Sequence, residues 1–305
     1  MTYFLFALGL ALLVGGGELL VQSGMALAHK MRLNPLIIGI VLMGVGTSLP
    51  ELSASVTAMV ANPPTPGIAF GNVIGSNITN ILFILGLASF INPIHINRVG
   101  FRRDGLFILL SVVMLYMIML FGYLDRVIGT FLLLFIAGYF VMCYDNNNHD
   151  DSQHHAKFNK SAWVLGVFSA IGIGAIVYGA DLLVDNASKI ATALGVSKSV
   201  MGLTLIAFGT SLPEITVSTV AAIHKQSAIA FGNIVGSNIA NVFLILGTIG
   251  VVKPTYVPQM WQSFGVMTAA TLLLLLCGIM GKIHRITGFV FLIAYGVYVY
   301  SLFLS

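Results

Sequence analysis

Gly46-Thr47-Ser48-Leu49-Pro50-Glu51 recurs 163 residues later as Gly209-Thr210-Ser211-Leu212-Pro213-Glu214. Downstream, Ile68 to Asn80 (IAFGNVIGSNITN) recurs as Ile229 to Asn241 (IAFGNIVGSNIAN) at an offset of 161. The longer Pro63-Pro64-Thr65-Pro66 turn of the first copy absorbs the difference. Upstream, Gly17-Glu18-Leu19-Leu20-Val21 answers Ala180-Asp181-Leu182-Leu183-Val184, again at 163. Self-similarity over this length says that one unit is written twice.

What the unit is follows from composition. The 305 residues are 58% hydrophobic and 8% charged, with a mean hydropathy of +0.98. Soluble domains carry about 25% charged residues, so a water-soluble enzyme is excluded. The net charge of +4 is too small and too scattered for nucleic-acid binding. Apolar runs bounded by polar or Gly/Pro breaks predict spans at about 3–26, 35–61, 67–92, 104–122, 127–144, 161–185, 197–222, 228–250, 261–281 and 286–303, each near the roughly 20 residues that cross a bilayer. Five spans fall in each copy, and an odd number forces the second copy to enter from the opposite face. The expected fold is therefore an all-α membrane protein of ten transmembrane helices, built as two inverted five-helix repeats. The repeats are residues 1–144 and 161–305, and the hydrophilic segment 145–160 (DNNNHDDSQHHAKFNK) links them.

Loop charge gives the orientation. Lys30, Arg32, Arg98, Arg102, Arg103, Lys157, Lys160, Lys225, Lys282 and Arg285 are assigned to loops on one side; Arg126, Lys189, Lys198 and Lys253 lie on the other. The positive-inside rule places the larger set and the linker in the cytoplasm and both termini outside. Met1-Thr2 lacks the basic start of a signal peptide, so residues 3–26 are read as a retained helix.

Glu51 and Glu214 each interrupt an apolar span, where a charge costs several kcal/mol. One such acid could be a protonated structural glutamate; two at equivalent positions point to a shared cation site. Pro50 and Pro213, with Gly46 and Gly209, predict broken helices and freed carbonyls near Gly44 and Ala207. Thr47 and Ser48 share a helical face with Glu51, as Thr210 and Ser211 do with Glu214. In the following spans Asn72, Ser76 and Asn80 form a polar stripe matched by Asn233, Ser237 and Asn241. Asn72 and Asn233 read equally well as helix–helix glue, and Gly71-x-x-x-Gly75 and Gly232-x-x-x-Gly236 as close-approach motifs. The donors are all oxygens, without His or Cys, which suits a hard cation such as Ca²⁺ and argues against zinc or copper. Two carboxylates neutralise one Ca²⁺ or two Na⁺, so the two loads compete for one pocket.

GTSLPE followed by GNxxGSNIxN, present twice, resembles the α-repeats of the sodium/calcium exchanger family, within the calcium/cation antiporter superfamily and of prokaryotic type. The resemblance covers both repeats. It implies a secondary antiporter exchanging Ca²⁺ for Na⁺ by alternating access, with four central ion sites and no cofactor beyond the transported ions. Carried over by position, Glu51 and Glu214 bind both ions and Thr47 and Thr210 assist Ca²⁺. Ser48, Ser76, Ser211, Ser237 and the carbonyls of Gly44 and Ala207 serve Na⁺, and Asn80 and Asn241 complete the central site. The first helix of each repeat is implied to slide across the rest. A bacterial or archaeal cell membrane is the expected location, with the lipid bilayer and the two ions as partners and no obligate protein partner. Asn241 stands where some members carry Asp, which argues against K⁺ co-transport. The motif also differs from the GNxxE pattern of calcium/proton exchangers.

Ca²⁺/H⁺ exchange is the alternative within the class, and a cation channel the alternative outside it. A hydrolase using Ser48 or Ser211 lacks a His or Lys base at that depth. Glu18 and Asp181 are expected at helix ends or the interface, His149, Asp150, Asp151, His154 and His155 in a solvated linker, and Cys143 and Cys277 as free thiols. The sequon-like Asn77-Ile78-Thr79 lies within the membrane.

Overall fold

A computed structural model describes residues 1–145, 158, 160–193 and 207–302. Nine long apolar helices cross the described residues: α1 (Thr2–Met31), α2 (Pro35–Val60), α3 (Pro66–Ile91), α4 (Gly100–Phe121), α5 (Arg126–Tyr144), α6 (Ala162–Ala193), α8 (Ser227–Val252), α9 (Trp261–Met280) and α10 (Arg285–Leu302). A shorter one, α7 (Leu212–Ile223), follows a helical turn at Ala207–Thr210. The start of the predicted span 197–222, most of the linker with its histidines, and Lys157 and Lys198 lie outside the described residues. The apolar windows of α3 and α8 are 72% and 83% buried, those of α6 and α10 28% and 17%. The two helices that carry the Gly-Asn motifs therefore form the centre of the molecule.

Backbone meets backbone at that centre. A Cβ on Gly236 of α8 would lie 2.5 Å from the Ile40 carbonyl oxygen, and one on Gly44 of α2 would lie 2.9 Å from the Gly236 Cα. Only glycine permits this approach, which explains Gly232-x-x-x-Gly236. Gly75, in the equivalent motif of α3, has no described atom so close. The α2 stretch facing α8, Ile38–Gly44, is π-helical, as are Thr79–Leu85 in α3 and Asn241–Leu246 in α8. Such widened turns tend to occur at functional positions.

Helices α1 and α6 lie against each other along glycines. A Cβ on Gly9 would sit 2.8 Å from the Gly179 carbonyl oxygen, and one on Gly16 2.9 Å from that of Gly172; Ser23 and Ser169 meet hydroxyl to hydroxyl at 2.9 Å. Both helices outrun their predicted spans, and this corrects the placement of two acids. Glu18 and Asp181 stand well inside helices of 30 and 32 residues, not at their ends. Glu18 Oε2 lies 2.6 Å from His224 Nε2 at the end of α7, and Gln22 donates to Glu18 Oε1 at 3.2 Å.

Four two-residue strands were not predicted. β1 (Ile94–His95) pairs antiparallel with β4 (Lys282–Ile283), and β2 (Tyr123–Leu124) with β3 (Thr255–Tyr256). β1 and β2 flank α4 while β3 and β4 flank α9, so these helices are stitched together at both ends. Arg103, counted with the loops, belongs to α4 instead. It pairs with buried Asp104 at 2.7 Å, which also accepts from Tyr139 of α5 at 3.1 Å. Cys143 and Cys277 are buried free thiols.

Candidate ion-binding site

The predicted breaks fall on two serines. Ser48 (φ −81°, ψ 4°) and Ser211 (φ −89°, ψ 2°) leave helical geometry, and new helices start at Leu49 and Leu212. Pro50 and Pro213 then occupy first-turn positions, where a missing N–H costs nothing. Glu51 and Glu214 follow in the same turn. The positive end of the helix dipole thus favours each carboxylate. Ser-x-x-Glu is the pattern of a capping box, yet neither serine caps its own helix. Ser48 Oγ instead donates across to Glu214 Oε1, at a long 3.4 Å. Ser211 Oγ and one carboxyl oxygen of each glutamate, Glu51 Oε2 and Glu214 Oε2, are buried without a hydrogen-bond partner.

A belt of hydroxyls and amides holds these turns. Asn72 Nδ2 donates to the Glu51 carbonyl (3.0 Å) and Ser55 Oγ (2.9 Å). Asn233 Nδ2 does the same to the Glu214 carbonyl (3.4 Å) and Ser218 Oγ (2.9 Å). Their side-chain oxygens accept from the opposite half: Thr47 to Asn233 at 3.2 Å and Thr210 to Asn72 at 3.5 Å. Ser76 donates to Asn72 Oδ1 at 3.5 Å. The glue reading of Asn72 and Asn233 thus describes their contacts.

The carbonyl of Gly44 is not bare, as the proline argument expected. It accepts from Ser48 N at 3.3 Å and Ser237 Oγ at 3.1 Å, because Ser48 N still reaches it across the break and α8 lies directly alongside. Ala207 opens the helical turn before Ser211. Among the described residues, then, both halves contribute to one cluster: Thr47, Ser48, Glu51, Ser76 and Asn80 from α2 and α3, and Thr210, Ser211, Glu214, Ser237 and Asn241 from their counterparts.

Two pairs escaped the sequence reading. Asn80 Nδ2 donates to Asn238 Oδ1 at 3.1 Å, and Asn241 Nδ2 to Asn77 Oδ1 at 3.0 Å. Ser55 and Ser218 were missed likewise. Asn77 and Asn238 stand inside the repeated GSNIxN motif, and that repetition was the available signal.

Nine buried side-chain atoms among the described residues have no hydrogen-bond partner, and five are oxygens of this cluster: Glu51 Oε2, Glu214 Oε2, Ser211 Oγ, Asn80 Oδ1 and Asn241 Oδ1. Carboxylates, amide carbonyls and a hydroxyl so arranged are costly to bury alone and form an oxygen set for a hard cation. Among the described residues no group of three or more His, Cys, Asp or Glu side chains could hold a metal ion.

The chain is similar to known proteins over nearly its whole length. The family described as sodium/calcium exchanger protein matches residues 1–144 and 164–304. An uncharacterized membrane protein of Methanocaldococcus jannaschii is 37% identical over 97% of this chain and 96% of its own length. The sodium/calcium exchanger MaX1 of Methanosarcina acetivorans is 32% identical over 99% and 98%. Among solved structures, the sodium-calcium exchanger NCX_Mj soaked with 10 mM Na⁺ and 10 mM Sr²⁺ is 33% identical over 99% of this chain and 98% of its own, with a TM-score of 0.86.

Proposed function

The chain belongs to the sodium/calcium exchanger protein family, and on that premise we propose that Na⁺ and Ca²⁺ take turns in one pocket between Glu51 and Glu214. The protein is a multi-pass membrane antiporter exchanging Na⁺ for Ca²⁺. The observation that carries the site assignment is the set of partnerless oxygens around two buried carboxyls, one from each half of the chain.

Within this reading the carboxylates supply −2 and bind both ions. Thr47 and Thr210 assist Ca²⁺; Ser48, Ser76, Ser211, Ser237 and the carbonyls of Gly44 and Ala207 serve Na⁺; Asn80 and Asn241 complete the centre. One Ca²⁺ or two Na⁺ balance the charge, and a third Na⁺ leaves the pocket at +1, so the loads exclude each other. The chain folds as ten spans in two inverted repeats, 1–144 and 161–305, around a cytoplasmic linker, with both termini outside a cell membrane. The recurrence of the helix break, the Gly-Asn helix and its π-helical end in both halves supports that reading. Access alternates as α1 and α6 move together over the remaining helices. Their mutual glycine contacts support motion as one body.

The test is ⁴⁵Ca²⁺ uptake into proteoliposomes driven separately by Na⁺, K⁺ and pH gradients. Uptake follows the Na⁺ gradient and is lost in Glu51→Gln and Glu214→Gln. Normal flux in either variant rejects the site. Uptake that needs no Na⁺ but tracks pH moves the assignment to Ca²⁺/H⁺ exchange, and conductance far above carrier turnover moves it to a channel.

A further inference from the structure

An asparagine offers a cation either its oxygen, which attracts, or its NH₂, which repels. Which one it offers is fixed by what holds the other end. Asn241 is held. Its Nδ2 donates to Asn77 Oδ1 at 3.0 Å, and Asn77 is itself oriented, because its own Nδ2 points at the Asn238 carbonyl oxygen (3.5 Å) and the Met267 sulfur (3.7 Å). Turning Asn77 over would set its oxygen against that carbonyl. Asn241 Oδ1 is left buried and without a partner.

The matching pair is held less firmly. Asn80 Nδ2 donates to Asn238 Oδ1 at 3.1 Å, but Asn238 Nδ2 has no partner. If both amides of this pair flip, the hydrogen bond survives with its direction reversed. The two clamps therefore differ in kind: one is anchored to the backbone and the other is reversible.

We infer that Asn77 is a positioning residue that locks the Asn241 amide with its oxygen toward the transported cation. This rests on the proposed pocket and deepens it. Asn77 contributes no ligand; it removes the repulsive orientation of one.

The test is a mutant cycle read by equilibrium ⁴⁵Ca²⁺ binding to the purified full-length protein, which needs no antiport to occur. Asn77→Leu removes the acceptor and weakens Ca²⁺ binding by roughly 10–100-fold, the usual effect of losing a group that orients a metal ligand. Asn77→Ser, too short to reach Asn241, acts in the same direction should the leucine variant fail to fold. In an Asn241→Asp background there is no NH₂ to misorient, so Asn77→Leu changes binding by less than about twofold, the scatter of independent effects. Transport by the same protein fits this assignment when the loss in Asn77→Leu lies in the Ca²⁺ concentration for half-maximal flux and not in the maximal rate. Unchanged Ca²⁺ binding in Asn77→Leu and Asn77→Ser overturns the assignment. So does an equal loss in the Asn241→Asp background, which marks Asn77 as merely structural. Absence of Na⁺-driven flux in the unmutated protein would instead overturn the exchanger reading and leave the binding cycle interpretable.

Discussion

At the scale of single residues, chemistry was legible wherever a polar group stood in an apolar span twice. Glu51 and Glu214 announce themselves by cost, since nothing structural explains two carboxylates at equivalent depth. Removing either charge is expected to reduce Na⁺-driven Ca²⁺ flux by more than the roughly 10–100-fold that follows loss of an orienting partner, measured in vesicles with the Asp and Gln variants side by side. The repeat marked Asn77 and Asn238 but not what they touch, because an amide that meets another amide and one that glues helices have the same sequence signature; Ser55 and Ser218 carry no mark beyond recurrence. Asn72 and Asn233 show the overlap directly: each holds a glutamate carbonyl and a serine of the neighbouring helix. Deleting the Asn233 side chain (Asn233→Ala) is expected to lower thermal stability by about 1–3 kcal/mol through orphaned buried partners, read as an earlier unfolding midpoint in detergent. Asp104 was overlooked because its neighbour Arg103 was counted as a loop charge, whereas the two pair with each other within α4.

Among the elements, the helix breaks were predicted from Pro50 and Pro213 and occur at the preceding Ser48 and Ser211. The π-helical stretches could not be foreseen, as they arise from packing and no composition marks them. Helix ends were misjudged for a related reason. The predicted first span stops at residue 26, whereas α1 runs on to Met31; Gln22 and Ser23 are buried within it, and Ser169 of α6 partners the serine. Close backbone packing yields a sharp test. Gly236→Ala places a methyl 2.5 Å from the Ile40 carbonyl oxygen, where backbone on both sides cannot yield. It should cost about 1–3 kcal/mol of stability by overpacking, seen as a lower melting midpoint and reduced flux. Gly138→Ala on α5, with open space around its Cβ position, is the control and should leave both unchanged.

For the molecule as a whole, counting spans leads to the proposed inverted arrangement, whereas the way the halves lock together could not be read that way. With one pocket and a fixed −2, Na⁺ is expected to raise the Ca²⁺ concentration needed for half-maximal uptake without changing the maximal rate. A noncompetitive pattern would mean separate sites. A K⁺ gradient alone should drive nothing, as Asn241 supplies no third acid. The strand pairs went unseen because two residues carry no periodicity, yet each joins the first half to the second: Ile94–His95 to Lys282–Ile283, and Tyr123–Leu124 to Thr255–Tyr256. Together with the interleaved centre, they give the halves a large mutual surface that does not depend on the linker. Severing the gene between codons 150 and 151 and co-expressing the two fragments should therefore yield a complex that co-purifies and transports, each fragment serving as the template on which the other assembles.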